Sequence, residues 1–134
     1  MTKFRYQKFK KDSASKLLLV AKNDLYAADF LLSAPMFRPE TVLYHVQQAI
    51  EKSLKSLLIS LEKPVPLVHD LDVIVANFSE EIQKELPQNL GELTQYATIR
   101  RYVDGDELIE KKDILEIIKI AESVIKFVES NECT

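Results

Sequence analysis

Between Pro39 and Leu61 the apolar residues Leu43, Val46, Ile50, Leu54, Leu57 and Leu61 recur in steps of three and four. That spacing lays a continuous stripe along one face of a helix, and a stripe of this length has to be covered by other helices. Pro39 suits the first helical position, where its missing N–H is not needed. Pro64 and Pro66 end the pattern, because proline neither donates to a helix nor lets its predecessor stay helical.

The same period appears in two other long segments. Ala14, Leu18, Ala21, Leu25, Ala28 and Leu32 predict a first helix, with Asp12 or Ser13 available to cap it and Pro35 and Pro39 ending it. Leu108, Leu115, Ile118, Ala121, Ile125 and Val128 predict a long last helix, with Asp106 as its candidate cap. Leu71, Ile74, Val75 and Phe78 mark a shorter helix, with Asp70 and Asp72 near its positive end. Glu80 to Leu86 has room for a turn or two before Pro87. From about Gln88 a further helix reads through Leu90, Leu93, Ala97 and Arg100. No run alternates convincingly at period two. The expected fold is therefore all-α, an up-and-down antiparallel bundle of four main helices plus a short extra helix.

With 134 residues the chain fits one domain: a basic arm over 1–12, the bundle over 13–130 and a tail over 131–134. No segment is long and apolar enough to span a membrane, and the start MTKFRYQKFKKD has no apolar core of a secretion signal. A cytoplasmic location is expected. Cys133 is the only cysteine and there are only two histidines, without Glu-x-x-His spacing, so no disulfide and no metal is expected. There is no Gly-rich phosphate loop, and no cofactor is expected.

Charge is unevenly spread. The net charge is −3, but residues 1–11 hold five Lys or Arg and no acid, leaving 13 bases against 21 acids in the rest. So acidic a body repels a phosphate backbone, and any nucleic-acid contact has to be local. The arm interleaves Phe4, Tyr6 and Phe9 with its bases, as single-strand binders do. The blander interpretation is a frayed terminus whose aromatics dock on the chain's own body or on a partner subunit.

Three constellations stand out. On the second helix His45, Gln48 and Lys52 form one polar row, able to read a base, a phosphate or a partner backbone, or to build a subunit interface. Gln47, Glu51 and Lys55 form a second, which reads as a solvated face with one i,i+4 ion pair. In VHDL, Asp70 can serve the next helix N-terminus while His69 hydrogen-bonds to a neighbouring turn or helix. In YATIRRYVDGDE, the residues Tyr96, Arg100, Arg101, Tyr102 and Asp104 make a candidate corner for an anion or a base, since Arg forks fit phosphate and stack on rings. The alternative there is arginine answering the helix dipole.

Taken together, HVQQAIEKSLKSLLI, the HDL after a proline loop and the RYVD before a last amphipathic helix resemble the HEPN domains of bacteria and archaea. The resemblance runs from Leu17 to Val128. It is most specific at His45, Gln47, Gln48, Ala49, Glu51, Lys52 and Lys55, which match H-x-Q-Q-A-x-E-K-x-x-K. It implies a bundle that commonly forms a homodimer, often encoded beside a small nucleotidyltransferase partner, in many cases as a toxin–antitoxin pair. Many such domains are metal-independent ribonucleases with an Arg-x4-6-His motif, in which His would move the proton and Arg would stabilise charge on the phosphate. Others bind nucleotides without cleaving RNA.

This chain has no histidine after His69, so Arg100 and Arg101 lack that partner, and Val103 stands where the family often has Pro. Arg38 and His45 match the spacing formally, but Arg38 precedes Pro39 at the start of a helix, and the match reads as coincidental. The expected function is binding of a nucleotide, an RNA or a nucleotidyltransferase partner through His45, Gln48, Lys52, His69, Tyr96, Arg100, Arg101, Tyr102 and Asp104. The rival is a ribonuclease toxin using His45 with Arg38 or with one of the later arginines. The third possibility is a purely structural dimeric bundle.

Overall fold

The computed structural model describes residues 4–93 and 110–132. Their order is β1 (Tyr6–Gln7), α1 (Ser13–Leu32), α2 (Pro39–Ser60), β2 (Val65–Pro66), α3 (Leu71–Val75), α4 (Glu80–Glu85), the opening residues 90–93 of α5, and α6 (Lys111–Asn131). The chain is mostly helical, as the periodicity predicts.

Helix α2 is the centre of the packing and is buried on two sides. Val42, Leu43, Val46, Ala49, Ile50, Leu54, Leu57, Leu58 and Ile59 all lie in the core, against α1 on one side and α6 on the other. Each large side chain buried this completely stabilises the fold by roughly 1.5–3 kcal/mol. Helix directions follow from cross-links. The Ser56 hydroxyl donates to the Ala14 carbonyl at 2.6 Å and also meets the Glu132 carboxylate, so the start of α1 and the ends of α2 and α6 share one end of the molecule. Lys22 pairs with Glu129 near that end, while Asp24, further along α1, reaches His45 and Lys52. Thus α1 is antiparallel to α2 and to α6, the directions an up-and-down order requires of its first, second and last members.

The helix boundaries have local causes. Arg38 is extended, at φ −101° and ψ 119°, as a residue before proline must be, and Pro39 opens α2. At the other end Glu62 is left-handed, with φ 59°. The Glu62 N–H donates to Ile59 and that of Lys63 to Leu58, which satisfies two terminal carbonyls and turns the chain off the helix axis. Asp70 caps α3 through a 2.9 Å bond from the Asp72 N–H, Ser79 caps α4, and Glu110 with Asp113 form a reciprocal capping box at α6. A Cβ on Gly91 would run into the Asp72 carboxylate, so glycine lets α3 and the start of α5 approach.

Four expectations are corrected. Leu115 is 41% exposed, and Ile114 takes the core position instead. Either residue lies one turn before Ile118, so spacing alone could not choose between them. Leu61 is also exposed, because the chain leaves the helix there. Neither Asp12 nor Ser13 caps α1: Asp12 is already in the helical region and its side chain makes no capping bond. Two short strands do exist, β1 and β2, antiparallel with Tyr6 opposite Pro66, extended by the Leu67 N–H donating to the Arg5 carbonyl at 2.7 Å. Two residues are too few to show a period, and prolines 64 and 66 hold the loop extended for its partner. The arm is thus tied to the body by its backbone, while Phe4, Tyr6 and Phe9 remain about two-fifths exposed or more. Helix α6 runs through Asn131.

Candidate functional site

One of the two polar rows of α2 departs from the role that sequence suggests. The second row is not a solvated face: Gln47 and Glu51 are buried, Glu51 to 4% exposure. The loop between β2 and α3 lies over them. A carboxylate withdrawn from water has to be met by donors, or it is costly to bury. Glu51 has three. Lys55 Nζ lies 3.1 Å from Oε2, Gln47 Nε2 donates to Oε1 at 3.1 Å, and His69 Nδ1 lies 3.0 and 3.1 Å from the two oxygens.

The network extends in both directions. Gln47 Nε2 also donates to the His69 carbonyl at 3.1 Å, and Gln48 Nε2 donates to Gln47 Oε1 at 2.9 Å. Because a carboxylate only accepts, His69 Nδ1 carries the proton in this pair. The ring itself is 81% exposed. A buried acid therefore fixes the orientation of an imidazole whose other nitrogen, Nε2, makes no hydrogen bond among the described residues, and such an orientation is what acid–base or phosphate contacts by histidine require.

The first row sits at the α1–α2 seam. Asp24 of α1 receives Lys52 Nζ at 2.7 Å and lies 3.6 Å from His45 Nδ1, beyond hydrogen-bond range. His45 Nδ1 is buried without a hydrogen-bond partner among the described residues, and its ring meets Tyr44 edge-on. Asp24 escaped the sequence reading. It falls between Ala21 and Leu25 on the apolar stripe, and the one signal available was an acid set into that face.

The one other described candidate, Arg38, is not gathered here. Arg38 is 85% exposed at the start of α2, with Nε 3.6 Å from Glu40. Six residues lie between it and His45, about 10 Å of axial rise, and no hydrogen bond or ion pair joins them. Tyr96, Arg100, Arg101, Tyr102 and Asp104 lie outside the described residues. Among the described residues no group of three or more His, Cys, Asp or Glu is placed to hold a metal ion. No helix among them is long and apolar enough to cross a membrane.

No curated protein and no solved structure matched the chain. A family model described as the HEPN domain matches residues 14–131, which takes in α1 from its second residue, α2 to α4, the start of α5 and α6. With that match covering most of its length, the chain belongs to the HEPN domain family.

Proposed function

We propose that this HEPN chain binds a nucleotide or a single-stranded RNA, and works as a homodimer beside a small nucleotidyltransferase partner, in the manner of a toxin–antitoxin pair. One observation carries the ligand class. Four of the arm's bases, Arg5, Lys8, Lys10 and Lys11, flank β1, which is fastened to β2 beside the lysines of α2, so their positive charge forms a patch on the body. Outside residues 1–11 the sequence carries 13 bases against 21 acids, and so acidic a body repels phosphate over most of its surface. Binding that depends on this patch weakens steeply with salt, because phosphate contacts release counterions. Reversing Lys8, Lys10 and Lys11 to Glu is expected to reduce affinity for a short RNA by about tenfold or more at low salt, read by calorimetry. Equal affinities for this variant and the wild type would sink the ligand reading.

The subunit or partner contact is supported by Leu19, Tyr26 and Phe30. They are 59%, 73% and 66% exposed at steps of seven and four, which places them on one outer face of α1. Tyr26→Glu with Phe30→Glu is expected to convert a dimer to a monomer in sedimentation velocity. An unchanged sedimentation coefficient would remove that face from the interface.

The Glu51–His69 pair favours one further reading, metal-independent cleavage of RNA with His69 Nε2 as the acid–base group. The binding reading expects single-stranded RNA to stay intact in EDTA. Cleavage abolished by His69→Ala would replace it with the ribonuclease reading, and cleavage abolished by His45→Ala would restore the pairing of His45 with an arginine.

A further inference from the structure

A cavity of about 530 Å³ lies where the arm, α1, α2 and β2 meet. Phe9, Leu17 and Val20 give it an apolar wall, while Lys16, Lys52 and Lys55 bring three ammonium groups against two carboxylates, Glu51 in the lining and Asp24 behind Lys52. In a chain with a net charge of −3, this is a locally positive hollow. Its volume suits a small organic ligand, and an apolar wall with a few fixed polar groups is the usual construction of such sites. Lys52 and Lys55 are held by Asp24 and Glu51 at 2.7 and 3.1 Å, so each ammonium is already oriented and keeps further N–H donors for an anion. Phe9, 40% exposed, presents a ring from the arm side.

We propose that this cavity receives a nucleoside phosphate, with the base against Phe9 and the apolar wall and the phosphate on Lys16, Lys52 and Lys55. The ligand is either a free nucleotide or a nucleotide of a single strand, two sources of one chemistry. The proposal rests on the nucleotide- or RNA-binding reading above and adds where the base goes. An aromatic face takes any base, so recognition here tolerates sequence and is governed by stacking and charge. The β1–β2 pairing becomes part of the site, because it holds Phe9 in place. The pairing is only two residues long, and so short a ribbon depends on its surroundings.

The test uses the full chain and calorimetric titration with AMP, ATP, a six-nucleotide oligo(A) RNA and laurate. Binding of AMP or ATP identifies a free nucleotide as the source, and binding of the RNA alone identifies the strand. Phe9→Ala, Val20→Trp and Lys16→Glu are each expected to weaken that binding about fivefold or more. Lys119→Glu on α6, outside the cavity, is expected to leave it unchanged. Val20 is 43% exposed, so a tryptophan there fills the hollow without entering the core, and thermal melting verifies the fold of each variant. Nucleotide binding that survives both Phe9→Ala and Val20→Trp would overturn the cavity assignment while leaving the ligand reading intact. Absence of nucleotide and RNA binding in the wild type would overturn both, and binding of laurate alone would overturn the ligand class.

Discussion

Glu51→Ala is expected to lower the stability of the fold by about 3–5 kcal/mol, the cost of breaking a buried ion pair from one side. The carboxylate is almost fully withdrawn from water, and its partners cannot recover what they lose. Lys55, whose side chain is 14% exposed, would keep a charge in a poorly hydrated place, and Gln47 would retain only one of its two acceptors. His69 contributes little to the penalty, since its exposed ring regains water. Glu51→Gln keeps the shape and some of the hydrogen bonds, and is expected to cost about 1–3 kcal/mol. Urea unfolding with a constant m-value measures both. A loss under about 1 kcal/mol for Glu51→Ala would mean that the network is not a packed part of the fold.

Leu57→Ala is expected to cost about 2–5 kcal/mol, and Leu115→Ala to stay within about 0.5 kcal/mol. Leu57 is fully buried on α2, where three elements close over the core and a vacated volume cannot easily collapse. Leu115 is 41% exposed on α6, one position from the buried Ile114. The same substitution in both helices therefore measures packing rather than propensity. Comparable losses at the two sites would contradict the register of α6.

Much of the architecture was legible because helix packing writes a period into the chain. The stripe from Leu43 to Leu57 and the one from Ala14 to Leu32 lie in the core almost as spaced, with Leu25 half-buried. Pro39 opens α2 and Asp70 caps α3, both local effects that need no distant contact. Legibility failed where two neighbours fit one period, as with Ile114 and Leu115, and where an element was too short to have a period, as with β1 and β2. The corner around Arg100 and Tyr102 remains an expectation from sequence, outside the described residues.

For the candidate site the division is sharper. The residues HVQQAIEKSLK, together with HDL and RYVD, carried the resemblance to the family, because a motif is a matter of identity and spacing, and the HEPN domain match over residues 14–131 agrees with them. The sequence likewise determined that α2 is amphipathic and that positive charge gathers in the first eleven residues. Which polar row of α2 is covered was decided only in three dimensions. The row of Gln47, Glu51 and Lys55 differs from that of His45, Gln48 and Lys52 by a rotation about the helix axis, and nothing local says which side the loop before α3 will cross. That loop brings His69 onto Glu51, 18 residues away, and turns a surface ion pair into a buried network. On the other side, α1 brings Asp24 to Lys52, 28 residues away. Desolvation depends on what packs above a side chain, and that is a property of the tertiary structure rather than of any segment.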